Sequence, residues 1–303
     1  MRWRKLGRIY EPVQIGQWAT SHSAVPIPLR LEAHRWRVYF SARDRRNRSS
    51  TGFFEIDLRR PSRLLRVSER PVLSPGALGT FDEDGAMGSW IVRHDERLLL
   101  YSTGWNVGLT VPFRNSIGLS ESCDGGEAFN RVSVGPVLDR GIHDPFFTAN
   151  PCVLIEGGIW KMWYLSGVAW ESTARGPLHR YHIKYAESVD ALEWCRCGLV
   201  CIDFQSSDEI ALSRPCVLKD RDLFRMWYSR RGSGYRIGYA ESADGLSWRR
   251  LDESAGIDIS ASGWDSEMIA YAFVFDAEGE RYMLYNGNGF GATGIGLAAL
   301  EAD

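Results

Sequence analysis

The chain runs to 303 residues, with 44% apolar and 24% charged residues and a formal net charge of −2. So even a balance of charge excludes a general nucleic-acid or membrane-surface role. The length gives one large domain, or two small ones, an ample core.

The segment from Met1 to Tyr10 lacks the apolar h-region of a secretory signal, and no apolar run approaches transmembrane length. The six cysteines (Cys123, Cys152, Cys195, Cys197, Cys201, Cys216) include no CxxC pair, so a reduced, cytoplasmic protein is expected. Cys195, Cys197 and Cys201 have no nearby histidine to complete a metal set, and no metal or other cofactor is expected.

Tyrosines recur at Tyr39, Tyr101, Tyr164, Tyr228 and Tyr285, with spacings of 62, 63, 64 and 57 residues. Each closes a similar phrase, such as Lys161-Met162-Trp163-Tyr164 or Arg225-Met226-Trp227-Tyr228. A period this long marks a repeat architecture, and about sixty residues hold four short strands with turns, one propeller blade. The expected fold is therefore all-β: a single five-bladed β-propeller over residues 1–303, with four-stranded blades.

In chain order, inner strands are expected at 24–31, 89–92, 151–155, 215–218 and 271–275, each followed by a polar turn and the tyrosine-bearing second strand. Cys152 and Cys216 fall in matching Pro-Cys-Val-Leu phrases and read as small buried strand residues. Third strands read 117–122, 183–188 and 237–242, and fourth strands start at Phe129, Trp194 and Trp248. Between second and third strands, 102–116 and 166–182 read as long loops. They carry Trp105, Asn106, Arg114, Asn115, Trp170, Glu171, Arg175, His179 and His182. Arg43, Arg45, Arg230, Arg231, Asn286 and Asn288 join the same rim. The fifth repeat stops at 295–303, after its third strand. Trp3-Arg4-Lys5-Leu6 matches the fourth-strand phrase Trp248-Arg249-Arg250-Leu251, so the N-terminal strand is expected to close the last blade and remove an open edge.

A second register runs through the repeats. Asp82, Asp144, Asp208 and Asp265 precede Tyr101, Tyr164, Tyr228 and Tyr285 by 19, 20, 20 and 20 residues; the first blade has Ala19 there, with His22 three residues on. Residues just before an inner strand are expected to crowd the channel mouth, joined by Glu83, Asp84, Glu209 and Glu267. Carboxylates packed this closely raise some of their pKa values by repulsion, which separates an acid from a base as glycosidic chemistry requires. The competing reading is that such an aspartate caps a turn. Asp124, Asp190 and Asp244, in the turns after the third strands, read as structural Asx turns. Gly289-Phe290-Gly291-Ala292-Thr293-Gly294 matches GxGxxG by accident, since a strand-like phrase follows it.

Indole faces among carboxylates and amides suit a sugar, while arginines could read a phosphate or carboxylate on the ligand. Candidate substrate contacts are His22, Trp105, Arg114, Asn115, His143, Trp170, Asp208, Arg214, Arg230, Asp265, Glu267 and Asn286. Of these, His22 and His143 could also ligate an ion.

In repeat number, blade size and the His143-Asp144-Pro145 phrase, the chain resembles the five-bladed propeller glycosidases of glycoside hydrolase families 43, 32 and 62. That resemblance implies an Asp general base, a second Asp that orients the sugar, often within Arg-Asp-Pro, and a Glu general acid on three consecutive blades. Carried onto this chain, the resemblance assigns Asp82 or Asp84 as base, Asp144 as the orienting residue and Glu209 as acid. The chain departs from that pattern in having His143 before Asp144, no acid in the first blade and no role for Gly263-Trp264-Asp265-Ser266-Glu267. Its Trp-Asp-Ser-Glu and Met-Trp-Tyr-Ser phrases are also similar to those of uncharacterised bacterial proteins from sugar and polysaccharide biosynthesis settings. The resemblance implies a glycoside hydrolase-like enzyme acting on a small glycoside or activated sugar by carboxylate acid/base chemistry. The alternatives are a non-catalytic carbohydrate-binding propeller or a non-hydrolytic enzyme acting on a sugar-biosynthesis intermediate. The expected partner is a small carbohydrate, with no nucleic acid and no membrane, and the oligomeric state is left open.

Overall fold

The computed structural model describes residues 1–174 and 176–301. Arg175, expected on the rim, and the last two residues of the fifth repeat lie outside the described residues.

The described chain is all-β, and its strands form antiparallel meanders of four. After β1 (Trp3–Tyr10), the first unit is β2 (Ser21–Arg30), β3 (Arg35–Arg43), β4 (Ser49–Asp57) and β5 (Leu64–Val67). The second is β6 (Gly85–His94), β7 (Arg97–Val107), β8 (Phe113–Ser122) and β9 (Asn130–Arg131). The third is β10 (Thr148–Glu156), β11 (Ile159–Thr173), β12 (Gly176–Ser188) and β13 (Val200–Ile202), and the fourth is β14 (Ala211–Asp220), β15 (Leu223–Arg231), β16 (Tyr235–Ser242) and β17 (Arg249–Arg250). In the last unit β18 (Ala270–Ala277), β19 (Glu280–Asn286) and β20 (Ile295–Leu300) are joined by β1, which pairs with β20 from Trp3↔Leu300 to Tyr10↔Ile295. The N-terminal strand thus covers the edge the last unit would otherwise expose. Trp3 is buried and meets Trp227 edge-on at 6.2 Å.

The segments 102–116 and 166–182 are not loops. β7 and β8 stay paired out to Val107↔Phe113, and β11 and β12 out to Thr173↔Gly176. Residue-by-residue cross-strand pairing carries both hairpins well beyond the buried core.

Each inner strand carries a bulge, and the first pair after it reads Ile27↔Tyr39, Trp90↔Tyr101, Cys152↔Trp163, Cys216↔Trp227 and Phe273↔Leu284. Tyr39 and Tyr101 therefore occupy the position of Trp163, Trp227 and Leu284, one residue out of step with Tyr164, Tyr228 and Tyr285. Strand side chains alternate, so the two sets face opposite ways. The Tyr39 and Tyr101 hydroxyls donate to Gly126 O and Ala191 O in the following unit, as the Trp163 indole does to Gly245 O. Tyr164 and Tyr285 instead donate to Asp144 and Asp265 of their own units.

The turns after the third strands hold the expected Asx geometry: the Oδ1 atoms of Asp124, Asp190 and Asp244 each accept from backbone amides two to four residues ahead. Cys152 and Cys216 are buried, and their sulfurs accept the Val217 and Val274 amides of the neighbouring unit at 3.3 and 3.2 Å.

Candidate functional site

The bulges of the inner strands build the axis. They place Val25, Asn150, Arg214 and Tyr271 at φ of 56°, 46°, 52° and 57°, a left-handed conformation that only asparagine among them tolerates well. Such strain persists where the surroundings enforce it, and it concentrates at ligand sites. Here cross-unit bonds enforce it: Thr103 Oγ1 accepts Asn150 N, Ser229 Oγ accepts Tyr271 N and Asn286 Oδ1 accepts Val25 N.

Arg214 ties three units together. Its guanidinium is fully buried and reaches from the fourth unit to Ser89 O (2.6 Å) in the second and Pro26 O (3.2 Å) in the first. Beneath it Trp90 and Phe273 stack at 4.5 Å. Burial lowers the Arg214 pKa to about 10, and among the described residues it has no carboxylate partner.

Across Tyr271 from Arg214 lies a well of about 230 Å³ to which every unit contributes: Arg43, Met87 and Thr103, Phe113 and Asn115, Phe147, Ala149 and Asn150, His179 and Tyr181, Arg231 and Tyr235, and Tyr271 with Phe290. It opens beside a second hollow of about 320 Å³ that shares Arg43, Met87, Thr103, Phe113 and Asn115 and adds Trp105. Its rings are mutually packed, with His179 stacked on Tyr181 at 5.0 Å and Tyr235 edge-on to Phe290 at 5.5 Å. The Oδ1 atoms of Asn115 and Asn150 are buried there without a hydrogen-bond donor. His22, beside Arg43 at the mouth, and His179 are both held at a pKa of about 4, first by burial and then by Arg43 and Arg231 respectively. Among the described residues, no carboxylate lines either hollow.

The acids foreseen at this mouth are elsewhere. Asp82 is buried and bonded by Arg131 (2.7 Å), Asp144 by Arg196 (2.9 Å), Glu209 by both terminal nitrogens of Arg250 (2.7 and 2.6 Å) and Asp265 by Lys5 (2.7 Å). Each base comes from the outermost strand, or the segment leading into it, of the acid's own unit. The register is a repeated lock that ties the start of a unit to its outer edge. Asp208 stands outside it, exposed, because the neighbouring Glu209 takes the buried place.

Of the other foreseen contacts, Asn115 lines both hollows, Trp105 lines the second, and Trp170 backs the well by packing on Phe113, Phe147 and His179. Arg214 is fully buried and lines neither hollow. Arg230 turns to the opposite face of its strand, toward Asp252 at 3.7 Å, and Arg231 enters the well in its place. Arg114 and Glu267 are exposed, His143 packs against Gly198, and Asn286 is spent on clasping the last unit to the first through Val25 N, Ser23 O and Gly294 O. Reading by residue type missed Asn150, Tyr181, Tyr235, Tyr271 and Phe290. A signal existed for one of them: Asn150 directly precedes the repeated Pro-Cys-Val-Leu phrase, as Arg214 does. Phe290 sits in the GxGxxG phrase set aside as accidental, in a short turn where it takes a φ of 59° and reaches the well. Among the described residues no group of three His, Cys, Asp or Glu is placed to hold a metal.

The fold is that of the β-propeller glycosidases. A solved structure described as "Glycoside hydrolase" matches with a TM-score of 0.78 at 17% identity, covering 99% of this chain and 92% of that one. A thermostable family-43 glycoside hydrolase matches at 0.68 with 17% identity (94% and 92% covered), and a structure described under the GH130 family of mannoside phosphorylases at 0.74 with 13% identity (99% and 93% covered). No protein-family model matches the chain. Two full-length relatives from Mycobacterium tuberculosis do: Uncharacterized protein MT1551 of strain CDC 1551 / Oshkosh, 46% identical, and Uncharacterized protein Rv1502 of strain ATCC 25618 / H37Rv, 45% identical. Each alignment spans 99% of this chain and 100% of the relative, and the chain belongs to their family.

Proposed function

We propose that this protein is a five-bladed propeller that binds a carbohydrate in its axial well. The observation that carries the reading is the pair of buried, undonated amide oxygens on Asn115 and Asn150, set among aromatic rings at the axis of a glycosidase-type fold. A buried acceptor without a donor is costly, and sugar hydroxyls supply donors while pyranose C–H faces pack on rings. The well is of monosaccharide scale, and the adjoining hollow under Trp105 has room for a second group.

The test is a panel of monosaccharides, sugar phosphates and aryl glycosides, read by thermal shift, calorimetry and turnover. Asn115→Ala and Asn150→Gly should each weaken binding at least tenfold. Glycine is the choice at Asn150 because alanine would add strain at its positive φ. A ligand whose affinity neither variant changes would refute the assignment.

A hydrolytic reading, with Asp82 as base, Asp144 orienting the sugar and Glu209 as acid, draws support from the glycosidase neighbours alone. It requires carboxylates locked by Arg131, Arg196 and Arg250 to act away from the well. Turnover of any glycoside that vanishes in Asp144→Asn and Glu209→Gln proteins of native stability would favour it over simple binding.

A further inference from the structure

Charge at the well runs one way only. Arg43 and Arg231 both line it, and neither has an acidic partner among the described residues: Arg43 donates to Asn47 Oδ1 at 3.0 Å, and Arg231 lies over the Tyr235 ring at 5.6 Å. Arg214, close to Tyr271 of the lining, adds a third guanidinium without a carboxylate partner among the described residues, its Nε buried without an acceptor. Elsewhere the protein pairs such groups: Arg37 is nearly as buried and is met by both Glu55 and Glu127. The half-buried Arg43 and Arg231 and the buried Arg214 thus gather positive charge that no carboxylate among the described residues balances, and burying charge is costly unless an anion repays it. Outside the well the same sign continues. The turn joining β3 to β4 starts at Arg43 and carries Arg45, Arg46 and Arg48 around an open hollow, with Asp44 committed to Arg48 at 2.9 Å.

From this we infer that the well selects sugars carrying an anionic group, a phosphate or a carboxylate, with the oxyanion held between Arg43 and Arg231 and the sugar ring against Tyr271, Asn115 and Asn150. The inference rests on the carbohydrate reading above and adds the charge class of the ligand. Guanidinium forks match either oxyanion, and the neutral histidines leave the arginines as the cations that meet it. The basic turn offers the place for a second phosphate or a longer anionic chain leaving the well.

The experiment compares, by calorimetry at low and moderate salt, glucose, galactose and mannose with their 1-phosphates and with glucuronate and galacturonate. Inorganic phosphate and pyrophosphate serve as sugar-free probes. At least one anionic sugar should bind tenfold or more tightly than its neutral parent, lose affinity as salt rises, and lose tenfold or more in Arg43→Gln and Arg231→Gln. Neither arginine is ion-paired, so both variants should keep or raise the parent melting temperature. The two arms of anionic sugars show which oxyanion is used. Neutral and anionic sugars binding alike, with both variants unaffected, would overturn the inference and leave the carbohydrate site standing. Arginine-dependent binding of phosphate or pyrophosphate with no response to any sugar would keep the anion site and overturn the carbohydrate reading. No binding by any probe would overturn both.

Discussion

Asp144 accepts from Tyr164, Ser166 and Arg196, lies 3.6 Å from the buried Lys184 ammonium and has no exposed surface, so its removal strands a buried cation and two hydroxyls. Breaking a buried pair from one side costs about 3 kcal/mol or more. Asp144→Ala should therefore unfold at clearly lower denaturant, whereas Asp208→Ala, an exposed side chain in the neighbouring register position, should change stability by less than about 0.5 kcal/mol. Equal midpoints in urea for the two variants would contradict the lock. The acidic half of the lock was legible in the sequence as a register; the basic half was not. Arg131, Arg196 and Arg250 lie 49, 52 and 41 residues from their acids, and Lys5 lies 260 from Asp265 across the closure. Without the bases, four recurring acids look like a converging site rather than four separate pins.

His179 gives a prediction with a pH sign. Its folded pKa of about 4 lies below the ordinary 6.5, first through burial and then through Arg231. The unfolded chain thus takes up the proton more readily. The stability tied to the neutral ring is complete above about pH 6.5 and is lost as pH falls toward 4. His179→Gln should flatten the fall in melting temperature across that window, and a slope identical to the parent's would count against a buried neutral ring.

At the scale of elements, closure by β1 is the feature the sequence displayed most openly, because a fourth-strand phrase stood at the wrong end of the chain. Deleting residues 2–10 removes a whole paired edge and exposes β20. The melting temperature should drop by far more than trimming a free tail would cost, and Trp3→Ala alone should cost about 3 kcal/mol. A truncated protein that melted with the parent would refute the pairing. The repeated tyrosines do not share one strand position: they slip by one residue between Tyr101 and Tyr164. Tyr-Ser in Tyr101-Ser102 and Trp-Tyr in Trp163-Tyr164 look alike in a phrase, but strand alternation sends them to opposite faces. Counted instead from Ser102, Tyr164, Tyr228 and Tyr285, the four aspartates each lie 20 residues ahead. The long hairpins β7–β8 and β11–β12 were read as loops because their polar and aromatic residues lack a buried stripe; pairing partner to partner, not burial, keeps them extended.

For the whole molecule, the repeat supplies the frame and the departures from it supply the site. Locks recur and hold the units; bulges recur too, but their side chains differ from unit to unit (Val25, Asn150, Arg214, Tyr271), and two of them, Asn150 and Tyr271, line a well that holds Arg43 and Arg231 and, among the described residues, no carboxylate. Convergence of this kind depends on where distant bulges meet, which no spacing in one chain discloses. The measurement that tests it most directly is a crystal structure with the tightest ligand from the sugar and sugar-phosphate panel. The expected ligand position is between Arg43, Asn115, Asn150, Arg231 and Tyr271. Density instead lying over Asp144 and Glu209, with their arginines displaced, would contradict it.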